Sequence, residues 1–139
     1  MNDCIFCQIV LRQIPSEQVY ENNDVLAFLD VAPINPGHTL VIPKAHSADL
    51  LDIPSDSLIA VVRVLPKVAK AVMRAVKAEG FNIGVNNGAS AGQIVSHTHF
   101  HVIPRFKDDG YKSWGQRKYK EGESAKIAEQ IREAMLLDE

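Results

Sequence analysis

The segment His97-Thr98-His99-Phe100-His101-Val102-Ile103 sets three imidazoles on alternate residues inside an apolar, β-branched run. A strand repeats every two residues, so this spacing projects all three onto one face. Each neutral imidazole buries a donor and an acceptor, and a strand that only filled a sheet would carry Val or Ile instead, as this one does at Val102 and Ile103. Three imidazoles on one face can bind a metal, exchange protons or attack an electrophile, and the triad alone leaves these open. Its surroundings narrow the choice. Only Thr98 and Phe100 lie between the histidines, whereas a catalytic metal usually wants a carboxylate or a further His beside them. Phosphoryl or nucleotidyl transfer fits better: one neutral His attacks phosphorus, a second steadies the developing negative charge, and the loop Asn87-Gly88-Ala89-Ser90-Ala91-Gly92-Gln93 can bring backbone and amide donors close to a ligand.

The remaining pattern describes what must position this strand. Ile5, Phe6, Ile9 and Val10 recur at helical spacing, which predicts a short helix from about Cys4 to Leu11. Three strands follow at Val19–Glu21, Val25–Leu29 and Thr39–Ile42, the first two joined by a tight Asn22-Asn23-Asp24 turn. Leu58, Val61, Val62, Leu65, Val68, Ala69, Val72 and Val76 fit one apolar helical face, so a long helix is expected over Ser55–Glu79, with Ser55 as its cap, Gly80 as its stop and a kink at Pro66. Phe81–Asn86 and Val95–Pro104 read as the fourth and fifth strands, 105–122 as a flexible polar loop, and Ser124–Leu137 as a terminal helix. The expectation is an α+β fold: an antiparallel sheet of about five strands, one long helix and shorter terminal helices, in one domain over 1–139.

Composition limits the partners. With 139 residues, 46% of them hydrophobic, the chain suits a single core, and 15 basic against 17 acidic residues remove the diffuse attraction that nucleic acid or an anionic membrane would need. No apolar run approaches the roughly 18 residues of a spanning helix, and Met1–Cys4 lacks a basic, apolar leader, so a cytoplasmic chain is expected. The two cysteines form a C-x-x-C at Cys4 and Cys7, readable as an inert pair, a redox pair or half of a zinc site. Taken singly, His38 is an ordinary loop histidine, Asp30 a turn residue, and Asn86 and Gln93 groups that satisfy loop backbone.

Together the motifs resemble the histidine triad superfamily of nucleotide hydrolases and transferases. The likeness runs from Cys4-Ile5-Phe6-Cys7 through Ala27-Phe28-Leu29-Asp30, Pro36-Gly37-His38-Thr39-Leu40-Val41-Ile42-Pro43-Lys44, Asn86 and Gly92-Gln93 to the H-x-H-x-H strand and Pro104-Arg105. It implies that His99 is a nucleophile forming a nucleotidyl-histidine intermediate, that His101 contacts the α-phosphate, and that His38 supports the triad. By the same likeness Asn86 and Gln93 bind phosphate oxygens, Asp30 holds the ribose, and Ile5, Phe6, Ile9, Phe28 and Val31 wall a base pocket. The implied activity is that of a purine nucleoside phosphoramidase, with dinucleoside polyphosphate hydrolysis or a nucleotide-binding interaction module as alternatives. Homodimers that pair their sheets are also implied. Cys4, Cys7, His46 and His97 match a structural zinc site of some bacterial members and of related uridylyltransferases. One departure stands out. Many phosphoramidase members carry Ser or Thr after the Gly-Gln pair, and this chain has Ile94, which cannot donate a hydrogen bond; leaving-group protonation then falls to His101, a water or Ser96.

Overall fold

The computed structural model describes residues 3–137, which divide into two compact units, one ending at Asp109 and the other beginning at Gly110. The first contains helix α1 (Ile5–Val10), strands β1 (Gln18–Glu21), β2 (Val25–Leu29) and β3 (Thr39–Pro43), helix α2 (Ser55–Val76), and strands β4 (Gly80–Val85) and β5 (Phe100–Arg105). The strands form one antiparallel sheet in the order β1-β2-β3-β5-β4. The second holds helix α3 (Glu123–Leu136), with no buried residue of its own.

Alternation along the strands sorts the core into two layers. Val25, Ala27, Val41, Phe100 and Val102 meet Val61, Val64, Leu65, Val68, Ala69 and Val72 of α2 on one face of the sheet. Each such buried Val or Leu contributes about 1.5–3 kcal/mol. Leu26, Phe28, Leu40 and Ile42 point to the other face and pack against Phe6 and Ile9 of α1. Leu40 pairs with His101 across β3 and β5, so His101 shares the α1 face.

Both ends of α2 differ from expectation. The helix begins at Ser55 with Pro54 in the cap position, because the Pro54 carbonyl accepts the first helical bond from Leu58 N–H while no side chain caps. It stops at Val76, where Lys77 adopts a left-handed conformation and Ala78 N–H returns to the Met73 carbonyl. Gly80 therefore opens β4 instead of ending a helix. The helix continues through Pro66, which lies on the exposed face, where water can reach the Val62 carbonyl that proline leaves without a donor. The N-terminal part of the fifth strand is missing: regular pairing starts at Phe100, and residues 95–99 approach it through a bend at 95–97.

Candidate active site

Two of the three triad histidines thus precede the ladder, yet the alternation survives. Thr98 N–H bonds to the Ser47 carbonyl at 2.8 Å, and the Thr98 and Ser47 hydroxyls meet at 2.8 Å. This seam ties Thr98 to Ser47 on one side, while the His97 and His99 rings both meet Phe6 on the other. The rings then form a row. His46 and His97 lie 5.0 Å apart between centroids, Phe6 bridges His97 and His99 edge-on at 5.9 and 5.1 Å, His99 meets His101 at 5.0 Å, and His101 meets His38 at 5.1 Å.

Backbone groups decide which nitrogen of each ring is free. His97 Nε2 lies 2.8 Å from the Pro43 carbonyl, which can only accept, so the proton sits on Nε2 and the Nδ1 lone pair is bare. His99 is the reverse: Nδ1 lies 2.7 Å from the His97 carbonyl, which places the proton on Nδ1 and leaves Nε2 as a free nucleophilic lone pair. His38 receives Ile34 N–H on Nδ1 at 3.0 Å, so its proton is on Nε2, directed at His101 Nδ1 2.9 Å away. His101 must then carry its own proton on Nε2. That atom is buried without a partner among the described residues, a donor kept for something else.

His38 reaches this position because it extends the β2–β3 ladder by one residue, its carbonyl accepting from Asp30 N–H at 2.9 Å. The preceding Gly37 has φ +98°, and a Cβ there would stand 3.0 Å from Val76 Cγ1. Asp30 Oδ1 caps its own turn, accepting from Ala32 N–H at 2.9 Å, while Oδ2 faces His38 Nε2 at 3.7 Å. Burial holds His38 below the usual histidine range against the opposing pull of Asp30. His101 is pushed down to about 4, first by burial, then by His99 and His38, with Asp30 opposing. Both rings are neutral at pH 7.

The second gathering stands at the other end of the row. Cys4 caps α1 with its sulfur toward Cys7 N–H, which places the two thiols side by side. His97 Nδ1 lies 3.5 Å from Cys4 Sγ, 3.6 Å from Cys7 Sγ and 3.2 Å from His46 Nδ1, and Cys7 Sγ is 3.4 Å from His46 Nδ1. Zn–S near 2.3 Å and Zn–N near 2.0–2.1 Å in a tetrahedron require edges of about 3.6 Å between S and N and about 3.3 Å between two N atoms. The four distances above match those edges, and all four donor atoms lie within 4.8 Å of one another. Burial, then the neighbouring Cys4, pushes the Cys7 thiol up to about 11, a level that a bound cation would have to overcome. Burial also lowers His97. Asp30, His38 and His101 form a second grouping within ligand reach of one another, but the His38 proton lies on the nitrogen that would have to ligate. It is a hydrogen-bond chain.

The other expected residues divide. Phe6, Ile9 and Phe28 are buried beneath the row, whereas Val31 is 97% exposed and Ile5 45%. Gln93 spends its amide on the loop: Nε2 donates to the Ala48 and Val95 carbonyls at 2.7 and 3.0 Å, and Oε1 accepts from Gly88 N–H at 2.8 Å. Asn86 follows the last residue of β4, its Nδ2 3.6 Å from where a Cβ on Gly92 would sit. Ile94 is 93% exposed and lines an open cavity of about 380 Å³ with Cys4, Ile5, His46 and Ser96. An apolar cavity of about 440 Å³ between α2 and β1 holds none of the histidines. Sequence reasoning missed the groups that set the tautomers, because the Ile34 N–H and the Pro43 and His97 carbonyls belong to backbone that every residue has.

The family model described as HIT domain matches residues 11–108. A Borreliella burgdorferi protein named an uncharacterized HIT-like protein is 51% identical over 113 residues, 80% of this chain and 81% of that one. An adenosine 5′-monophosphoramidase of Candida albicans is 42% identical over 76% of this chain and 72% of its own, and an adenylylsulfatase of Arabidopsis thaliana 41% identical over 78% and 55%. Among solved structures, a Streptococcus mutans protein, SMU.412c, superposes with a TM-score of 0.92 at 43% identity, covering 97% of this chain and 87% of that one. A zinc-bound histidine triad family protein from Mycobacterium smegmatis gives 0.76 at 36% identity, covering 96% and 98%.

Proposed function

This chain belongs to the HIT domain family, and from that premise we propose that it is a nucleotidyl hydrolase or transferase whose His99 Nε2 attacks the α-phosphorus of a purine nucleotide. The observation that carries the reading is the pair of opposite tautomers, a bare Nε2 on His99 beside a protonated Nε2 on His101 that has no partner among the described residues. Attack forms the N–P bond as the bond to the leaving group breaks, and His101 Nε2–H donates to a phosphate oxygen, stabilising charge as it develops. Water then attacks the nucleotidyl-histidine, the N–P bond breaks, and the nucleoside monophosphate leaves. Asp30 Oδ2 is the group proposed for the ribose hydroxyls, with Phe6, Ile9 and Phe28 beneath the base. The relatives named for AMP phosphoramidate and adenylylsulfate cleavage support this class of reaction.

The tautomers also bear on the leaving group. A neutral imidazole that surrendered its remaining proton would become an imidazolate, out of reach at neutral pH, so His101 is a donor to phosphate and a poor general acid. With Ile94 in place of a hydroxyl, no side chain at that position can supply the proton. Leaving groups that depart as stable anions, such as sulfate, phosphate or carboxylate, should be favoured over amines. Measured with adenylylsulfate and an AMP amide, kcat/KM should fall far more steeply with leaving-group basicity than in Ile94→Ser, which should gain up to about 10²-fold on the amide alone. An unchanged dependence would reduce Ile94 to packing.

Cys4, Cys7, His46 and His97 are proposed to hold a structural zinc, a reading supported by their tetrahedral edge lengths and by the zinc-bound relative. With four protein ligands such an ion supplies structure, tying α1 to the 97–99 segment, and keeps no open position for substrate. A cytoplasmic homodimer, with the chain acting as one domain, completes the proposal on the strength of the family likeness and the free cysteines.

A further inference from the structure

The proton on His101 Nε2 depends on a donor that belongs to no side chain. Ile34 N–H points at His38 Nδ1, and the Ile34 side chain itself is exposed. What holds that N–H in place is the next residue. Asn35 Nδ2 donates to the Pro104 carbonyl and to Asp109 Oδ2, both at 2.9 Å, and the Asn35 carbonyl accepts from His38 N–H at 3.0 Å. Asp109 is itself gripped: Arg105 Nε and Nη2 reach its two oxygens at 3.0 and 2.8 Å, and Phe106 N–H adds a bond at 2.9 Å. The turn before His38 is thus tied to the end of β5, the strand that carries His101. Asn35 bridges the two.

We propose that Asn35 is a positioning residue: anchored to Pro104 and Asp109, it fixes the 34–38 turn so that Ile34 N–H selects the Nε2–H tautomer of His38 and, through it, of His101. The tautomer assignment stands on hydrogen-bond geometry alone; its catalytic meaning rests on the nucleotidyl-transfer reading above. If Ile34 N–H moved away, His38 could carry its proton on either nitrogen. Half of the tautomer pairs would then turn a bare nitrogen of His101 toward the phosphate, where a lone pair repels.

The test is long-range ¹⁵N–¹H correlation of the imidazoles in the full chain, labelled at histidine and held at neutral pH. The wild-type protein should show protonated Nε2 at His38 and His101 and protonated Nδ1 at His99; a proton on His38 Nδ1 overturns the proposal without any variant. Asn35→Ala should move the His38 and His101 signals toward the average of two exchanging tautomers while His99, held by the His97 carbonyl, stays. Ile34→Pro, which deletes the donor, should do the same, and Ile34→Ala, which keeps it, should not. Signals unmoved by Asn35→Ala in a folded protein overturn the role of Asn35. Should Asn35→Ala fail to fold, signals unmoved by Ile34→Pro overturn the relay on which that role depends. With adenylylsulfate as substrate, Asn35→Ala should lower kcat about tenfold with KM little changed, as expected for a group felt only in the transition state. The proposed tautomers in a protein that turns over no nucleotide would uphold the positioning and overturn the nucleotidyl-transfer reading.

Discussion

The two ends of the histidine row use one residue type in opposite ways. At the Cys4–Cys7 end, Pro43 takes the outer proton of His97, so the Nδ1 lone pair turns inward, where His46 and two sulfurs converge at tetrahedral distances. At the His38–His101 end, Ile34 N–H occupies the outer lone pair, so a proton turns inward and lone pair meets N–H in series. A carbonyl behind the ring makes a ligand, and an amide N–H behind it makes a donor chain. His99 stands between them with a carbonyl behind it and, among the described residues, no such cluster in front, the arrangement on which the proposed nucleophile rests. Histidine spacing alone does not distinguish these three fates.

The sharpest way to separate the ends is to remove what lies between them. His99→Ala should lower turnover by at least about 10³-fold while nucleotide affinity stays within tenfold, about 1.4 kcal/mol, because a nucleophile acts mainly in the transition state. Zinc content and melting temperature should be near those of the wild type. Turnover retained in a folded His99→Ala protein would assign the chemistry elsewhere.

Breaking the Cys4–Cys7 end should do the converse. Protein purified without added metal should hold close to one zinc per chain, and Cys7→Ser should lose it together with about 3 kcal/mol of stability, a fall in Tm on the order of 10 °C. The His38 and His101 tautomers should not change. Elemental analysis without zinc, combined with free thiol labelling in the folded state, would return these residues to an ordinary thiol pair.

These contrasts also explain what was readable from residue types and what was not. The sheet and the long helix follow from apolar periodicity, which side chains carry, while the gathering of the C-x-x-C with His46 and His97 was implied by the family likeness. The ends of α2 do not, since Lys77 rather than Gly80 takes the left-handed position and the Pro54 carbonyl replaces a side-chain cap. The row of imidazoles was legible for a reason only partly correct: regular pairing includes His101 alone, and the Ser47–Thr98 seam keeps His97 and His99 on its face. Gln93 shows what spacing leaves out. An amide beside a small-residue loop looks like a phosphate ligand, but three backbone groups already claim it.

The donor end can be sharpened by acid. Burial depresses His38 and His101 below the ordinary histidine value, so the unfolded chain binds more protons than the folded one between about pH 6.5 and the folded value, about 4 for His101. Stability from these groups is therefore complete above about pH 6.5 and is lost as pH falls through that window. His101 should contribute on the order of 2 kcal/mol of this loss. Denaturant unfolding at a series of pH values should show a shallower acid slope for His101→Gln than for the wild type; parallel slopes would mean that His101 already titrates normally in the folded protein.

Asp30 gives the smallest and most specific effect. One of its oxygens caps the turn at Ala32 and the other faces His38, so the carboxylate belongs to the donor end whether or not a ribose is bound. If Oδ2 also accepts from ribose hydroxyls, Asp30→Ala should raise KM for a ribonucleotide substrate about tenfold, and much less for its 2′-deoxy analogue, because the analogue had one hydrogen bond fewer to lose. Asp30→Asn separates the two duties. Its carbonyl can still accept from Ala32 N–H and preserve the turn, while the charge opposite His38 is gone. Equal ribo-to-deoxy ratios in the wild type and both variants would confine Asp30 to the turn and to His38. A ratio that collapses in Asp30→Ala but persists in Asp30→Asn would place a ribose contact there that needs an acceptor and not a charge.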